Sequence, residues 1–231
     1  MPFLTADMVK DEKEKEQVAE VLGRMQQVDK KKFWYVKRAI DITMALIALL
    51  VFSIPMLLIT LIIFCMDPKD NPIFCQTRTG RHGKEFQLYK FRTMVPGADQ
   101  MKESLLQANE MDGPVFKIKN DPRVTKFGRF LRKTSLDELP QFFNVLKGDM
   151  AVIGPRPPIP KEVEQYTKYQ MIRLTVTPGI TGLWQVQPNR NDLSFDEWVD
   201  LDIEYILHRS VAMDIKIMLR TAVVMLKGEG R

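Results

Sequence analysis

ITMALIALLVFSIPMLLITLIIFCM, from Ile42 to Met66, is a run of 25 residues without a charge, closed by Asp41 and Asp67. A stretch of that length ordinarily reads as a helix spanning a bilayer. Pro55 falls at its middle, where a missing N–H and a ring clash break or sharply kink a helix, and Ser53 offers a hydroxyl to the freed backbone. Each resulting arm reaches only about 18 Å, against a hydrocarbon core of about 30 Å. Lys30, Lys31, Lys32, Lys37 and Arg38 precede the run, and Lys69, Arg78, Arg81 and Lys84 follow it. Positive charge marks the cytosolic side, and here it stands at both ends, which favours a re-entrant hairpin over a proline-kinked single span. Both remain open on physical grounds. Phe33, Trp34 and Tyr35 fall where interfacial aromatic anchors sit in either case.

Upstream, the first 32 residues mix acids and bases around Met8, Val18, Val21, Leu22 and Met25, a helical spacing that suits an amphipathic surface helix or a solvated arm. The apolar run begins too late for a cleavable signal peptide, so a retained cytosolic extension is expected. Downstream the chain becomes soluble in character. Ile73 to Thr77 and Phe86 to Phe91 read as a hairpin around Gly80 and Gly83. Helices are expected over Met94 to Asn109, Val124 to Leu131 and Asp137 to Leu146, and Pro155 to Pro160 is a stiff connector. A long helical pattern from Phe195 to Leu226, with Lys216, Arg220 and Lys227 on its edge, fits a core helix or an interfacial one equally. The expected fold is α+β and helix-rich, divided into an extension (1–36), a re-entrant membrane helix (37–66) and a cytosolic catalytic domain (67–231).

The chain of 231 residues has a formal charge of +5, and its cations cluster near the apolar run and in the middle of the sequence. Anionic lipid or substrate phosphate is therefore the expected partner, not nucleic acid. No zinc finger, recognition helix, P-loop or dinucleotide loop is present. Cys65 and Cys75 have neither metal-ligand spacing nor a disulfide framework, and His82 and His208 are isolated.

Chemistry concentrates in Lys133 to Gln141, where Asp137 and Glu138 stand side by side after a basic stretch. One carboxylate can attack phosphorus and a second can hold magnesium against phosphates. The same spacing also satisfies a capping box from Ser135 to Glu138, or an N-cap at Asp137, with Pro140 in the first turn. The two readings are compatible, since a helix N-terminus also favours anions. Arg123, Lys126, Arg129 and Arg132 recur every three residues before the acids, as a solvated face or a lipid-phosphate contact. Lys90 and Arg92 share one face if Leu88 to Arg92 is a strand. Arg156, held among Pro155 and Pro157, is either a phosphate grip or part of a plain structural turn.

These residues resemble the bacterial sugar transferases, the monotopic phosphoglycosyl transferases. The likeness runs from about Lys37 to the C-terminus and rests on Lys90-Phe91-Arg92-Thr93-Met94, on Arg129 to Gln141 and on Gly148 to Pro157. Thr177 to Val186 also resembles the family's C-terminal half. The resemblance implies a re-entrant helix broken at Ser53 and Pro55, Asp137 as nucleophile and Glu138 as the Mg2+ ligand. It implies that Lys90, Arg92, Arg132, Arg156 and Pro157 lie at the substrate phosphates. The family's scheme has the aspartate attack the β-phosphorus of a UDP-sugar, UMP leave, and undecaprenyl phosphate take the phosphosugar, at the cytoplasmic face of the bacterial inner membrane. UDP-glucose or UDP-galactose is the donor that the C-terminal half suggests. Gln187 to Asp192 departs from the family's glycine-containing version and leaves the sugar unassigned. Larger relatives imply a homodimer, and they carry spanning helices and a soluble domain where a charged extension is expected here. The rival readings are a membrane-anchored, magnesium-dependent phosphohydrolase using Asp137, and a non-enzymatic membrane scaffold whose acids only cap a helix.

Overall fold

The structure, a computed structural model, describes residues 3–28 and 31–227. Lys30, one of the flanking cations, lies outside them. Helices α1 (Glu12–Val28), α2 (Lys31–Val51) and α3 (Ser53–Met66) lead into a hairpin of β1 (Ile73–Thr79) and β2 (Glu85–Phe91). Then come α4 (Lys126–Lys133), α5 (Gln141–Lys147), β3 (Ala151–Ile153), α6 (Pro160–Val163), β4 (Gly179–Thr181), α7 (Phe195–His208) and α8 (Val211–Leu226). β1 and β2 pair antiparallel, with Phe74 opposite Lys90 and Arg78 opposite Phe86, while β3 and β4 form a short parallel pair. The fold is α+β and rich in helix, the class the sequence pattern leads to.

No single described helix is long and apolar enough to cross a membrane, but α2 and α3 pass that test together and are bent by 61°. The break is at Phe52. Pro55 is the third residue of α3, where its missing N–H would have had no partner inside that helix, so it opens α3 and cannot prolong α2. The Ser53 hydroxyl donates back to the Leu50 carbonyl at 2.8 Å. Outer positions of the bend are bare: Leu50 is 77% exposed, and Ile54 and Leu57 are each 69% exposed. Its inner positions Ile59 and Ile63 pack on Phe91, Leu131 and Leu139 in a small core of their own.

The lower half of α2 belongs to the domain. The Lys37 ammonium is buried, 2.9 Å from the Asp214 carboxylate of α8 and 3.7 Å from Asp41. Asp41 accepts from the Val152 N–H of β3 at 3.0 Å, and the Tyr205 hydroxyl donates to Asp214 at 2.8 Å. Arg38 donates to the Val145 and Leu146 carbonyls at the end of α5. Lys37 and Arg38 therefore do not face lipid phosphates, because the first turns of α2 run beneath α5, α8 and β3. Trp34 is likewise set between the Arg81 and Arg209 guanidinium groups, at 5.2 and 5.1 Å, whereas its neighbour Tyr35 is exposed.

The main core joins Val145, Ile153, Ile172, Trp184, Trp198, Ile206 and Ile217, and it includes Val18 and Val21 of α1. Glu14 accepts from the Tyr169 N–H at 2.9 Å. The charged N-terminal segment is thus folded onto the domain as an amphipathic helix. Two expected helices change. Met94 pairs with Val124 in an isolated bridge, and Pro96 with Gly97 at φ +74° delays helical structure to a 3-10 stretch, Gln100–Ala108. The pattern from Phe195 to Leu226 is two helices, because the chain turns at Arg209 and the Ser210 side chain caps α8 by accepting from Met213 N.

Replacing Lys37 with Met leaves two buried carboxylates without their cation, so stability is expected to fall by about 3–5 kcal/mol. Adding Asp214→Asn is expected to recover part of that loss, as read by denaturant unfolding in detergent micelles. A single variant as stable as the parent would show that the acids are held by protonation or hydration and do not depend on Lys37.

Candidate active site

Thr93, just past β2, is the point to which the site is pinned. The Thr125 N–H donates to its carbonyl at 3.0 Å, and the Thr125 hydroxyl caps α4 by accepting from Gly128 N at 2.9 Å. Gly128 lies so close that a methyl group in its place would overlap the Thr93 carbonyl. That contact fixes the height of α4 on the hairpin, and Arg132 in its last turn donates from Nε to the Thr93 hydroxyl at 3.0 Å. Ser135 then takes a left-handed conformation at φ 55°, and Leu136–Glu138 form one 3-10 turn before Pro140 admits α5. The Ser135 side chain makes no cap, so the capping box that its spacing allows does not form. The helix that the pattern begins at Asp137 starts at Gln141 instead.

Asn144 holds the far side of this turn. Its side chain, fully buried, donates to the Gln87 carbonyl at 2.7 Å and accepts from Tyr89 N at 3.1 Å, locking α5 to the edge of β2. Lys90 on β2 reaches across to the Glu138 carboxylate at 2.8 Å. Asp137 is buried beside them, and Arg132 lies within electrostatic reach of both acids. Burial pushes the Asp137 carboxyl up to about 6; Lys90 and, more weakly, Arg132 pull it down, while the Glu138 charge adds to the rise.

The remaining predicted residues divide. Arg92 turns away from the acids to the end of α3, where it meets the Asp67 and Asp70 carboxylates and carbonyls. Arg156 sits in the proline loop after β3, with its guanidinium 3.5 Å from Glu162 of α6. Loop prolines donate no hydrogen bonds, so neighbours hold their carbonyls. Gly179 N donates to Pro155 at 2.9 Å, Thr79 N to Pro158 at 2.8 Å, and Arg78 to Pro157 at 2.9 Å. Pro157 thus acts through its backbone. Arg123, from the basic stripe, is buried in a two-pronged pair with Asp121. Asn144 and Glu162 carry no signal of a site role in the sequence, while Arg78 stands out there only as a cation flanking the apolar run and Thr93 only as a member of the Lys90–Met94 motif. The available signal is in β1, where Gln76 and Arg78 put two polar side chains on one face, opposite Leu88 and Phe86.

The arrangement brings a buried carboxylate, a second carboxylate and two cations to one turn resting on α3. That suits phosphate chemistry. Groups of three or more acids, cysteines or histidines that could cage a metal are absent among the described residues. An Asp–Glu pair nevertheless fits magnesium, which takes one or two protein carboxylates and leaves its other positions to water and substrate phosphate.

Residues 32–228 match the bacterial sugar transferase family. The chain belongs to that family. It is 50% identical over 196 residues to a galactosyl transferase, CpsE, of Streptococcus agalactiae, and 43% identical over 202 residues to an undecaprenyl-phosphate galactose phosphotransferase of Salmonella typhimurium. Those alignments cover 84% and 85% of this chain but 43% and 41% of the relatives, so it spans about two-fifths of their length. The exopolysaccharide production protein ExoY of Rhizobium meliloti is 38% identical over 189 residues, covering 80% of this chain and 83% of that relative.

The raised Asp137 carboxyl has a measurable consequence for stability. The folded chain keeps a proton that the unfolded chain gives up near pH 3.8, so stability from this group is greatest below that pH and falls as pH rises to about 6. Asp137→Asn is expected to remove this fall and to be the more stable protein above pH 6. Unfolding free energies of the two proteins that run parallel from pH 4 to pH 7 would contradict the assignment.

Proposed function

We propose that this protein moves a hexose 1-phosphate from a UDP-sugar to undecaprenyl phosphate at the cytoplasmic face of the bacterial cytoplasmic membrane, with Asp137 as nucleophile. The observation that carries this reading is the buried Asp137 beside the Glu138–Lys90 pair, on a turn that packs through Leu139 onto the apolar helix α3. Ionised Asp137 attacks the β-phosphorus, and the bond from that phosphorus to the bridging oxygen breaks. The electron pair leaves with UMP, and an aspartyl phosphosugar remains. An oxygen of undecaprenyl phosphate then attacks the same phosphorus, forming the lipid diphosphate sugar and returning the carboxylate.

Lys90 and Arg132 would face the charge that builds on the phosphoryl oxygens, where burial strengthens each interaction. Glu138 is the residue to hold Mg2+, and the ion supplies further neutralisation of phosphate charge when bound. The bare outer face of α2 and α3 fits a dip into one leaflet, because exposed apolar surface of that extent is costly in water. That placement lets a polyprenyl phosphate present its head group beside Asp137 while the soluble donor arrives from the other side. Galactose is the sugar to test first, since the Streptococcus and Salmonella relatives carry it in their names.

UMP release from UDP-galactose, with magnesium and undecaprenyl phosphate in nanodiscs, is expected from the parent and to drop at least about a thousandfold in Asp137→Ala. Turnover should rise with pH through about 6 as Asp137 ionises, and this limb should move to higher pH in Lys90→Met, which removes the cation that lowers the carboxyl. Release of free galactose 1-phosphate in place of the lipid product would identify a hydrolase. Undiminished UMP release by Asp137→Ala would remove Asp137 as nucleophile.

A further inference from the structure

Arg78 is a buried cation near the site with no task in the transfer of the phosphosugar. It lies on the hairpin face shared by Gln76, Leu88 and Lys90, since Gln76 pairs with Leu88 and Phe74 with Lys90. Its Nη1 donates to the Pro157 carbonyl at 2.9 Å and its Nη2 to the Gln76 side chain at 2.6 Å. Its Nε is buried with no hydrogen-bond partner among the described residues. No carboxylate among the described residues makes an ion pair with it. Glu162, the nearest candidate, faces Arg156 at 3.5 Å and accepts from Ile159 N at 3.2 Å, and Glu138 is engaged by Lys90. The Arg78 and Arg156 guanidinium groups are thus near enough to repel each other, with Glu162 paired to Arg156 and only the more distant charges of Glu162 and Glu138 acting on Arg78. Burial first, and then the Arg156 charge, pulls the Arg78 guanidinium down to about 9. This corner of the fold has a cation more than it has anions to balance it.

We propose that Arg78 is a positioning residue for the donor diphosphate: through the Pro157 carbonyl it aims Arg156 at the site, and the charge of the pair receives the phosphate that departs with the nucleotide. The inference rests on the phosphosugar-transfer reading. Along the hairpin face, Lys90 marks the end where Asp137 attacks, and Arg78 with Arg156 marks the other end. A nucleotide sugar with its sugar-bearing phosphorus at the acids has its other phosphate turned toward the arginines, whose long side chains reach back over the four-residue spacing between Phe74, opposite Lys90, and Arg78. As the bridging oxygen takes the electron pair, negative charge grows on the departing phosphate, where the pair is already in place and no protein movement is needed. A lysine at position 78 keeps the charge but loses the fork that binds Pro157 and Gln76 together.

The test uses full-length protein in nanodiscs with Arg78→Lys and Arg78→Gln. Both are expected to raise the KM for the nucleotide sugar and the inhibition constant of UMP by about tenfold or more, with the KM for polyprenyl phosphate within about twofold of the parent. A merely structural role would instead reduce the active fraction and leave both donor constants unchanged, and that result would overturn the proposal. A second readout is independent of turnover: inorganic diphosphate should raise the melting temperature of the parent and of Asp137→Ala, and raise it much less in both Arg78 variants. Equal protection of all four proteins, or none of the parent, would also overturn it. Should the parent release no UMP yet be protected through Arg78, the transfer reading fails while the anion site stands, so the two failures are told apart. If Arg78→Gln does not fold, Arg78→Lys carries both readouts.

Discussion

Lys37 is neutralised inside the protein by carboxylates from its own helix and from the far end of the chain, and the path of the apolar helix pair follows from that. An ammonium group cannot be buried alone, so α2 has to lie where Asp41 and Asp214 meet it, with Tyr205 donating to the second oxygen of Asp214 and the Val152 N–H to the Asp41 oxygen that faces Lys37. Such a cluster adds little net stability over a well-packed apolar one, but it tolerates very few alternative arrangements. Arg38, capping the end of α5, adds a second fixed point one residue further on. With its root held in two directions, α2 leaves the domain along a single line, and the 61° bend sends α3 back beneath β2 and α4. The apolar pair is consequently part of the folded core at both its ends.

The location of the acids follows from this geometry. Leu131 and Leu139, which flank the Asp137–Glu138 turn in sequence, pack on Ile59 and Ile63 of α3, so the turn between them is drawn toward an apolar surface. Burial there raises the cost of ionising Asp137, and Lys90 and Arg132 offset part of it. A fully exposed carboxylate would ionise freely but would face phosphate oxygens through water, whose high dielectric weakens every attraction. A carboxylate buried without cations would stay protonated. The observed compromise, an acid pushed up to about 6, leaves it ionised at neutral pH in a setting where nearby positive charge counts for more.

What the sequence disclosed and what it hid differ in kind. The bend at Ser53 and Pro55, the hairpin around Gly80 and Gly83, and the paired acids were legible because each depends on residues adjacent in the chain. The partners of charged side chains were not. Lys37 and Arg38 read as a basic membrane flank, since Asp214 and the α5 carbonyls that take them inside lie over a hundred positions away. Arg92 reads as the partner of Lys90 by alternation, yet the strand ends at Phe91 and the next residue turns toward Asp67. Ser135 and Glu138 satisfy a local capping rule that tertiary pinning overrides, because Thr93 holds α4 and Asn144 holds α5, and the short link between them closes only with Ser135 left-handed. Local chemistry was visible, and long-range pairing was not.

The proline loop after β3 is held in place without regular structure of its own. Residues 155–158 have three prolines and so only one backbone donor, which leaves their carbonyls as the groups that need partners. Those partners come from separate parts of the fold: Gly179 at the start of β4, and Arg78 and Thr79 at the end of β1. Gly179 can serve only because it has no side chain, since a methyl group there would overlap the backbone of Gly154. β4 leads directly into the turn holding Trp184, which stacks on Trp198 of α7 at 4.0 Å. The position of Arg156 is therefore set on one side by the hairpin that also bears Lys90, and on the other by the packed C-terminal core. A displacement of either would be felt at the same guanidinium, so the hairpin and the C-terminal core meet at Arg156.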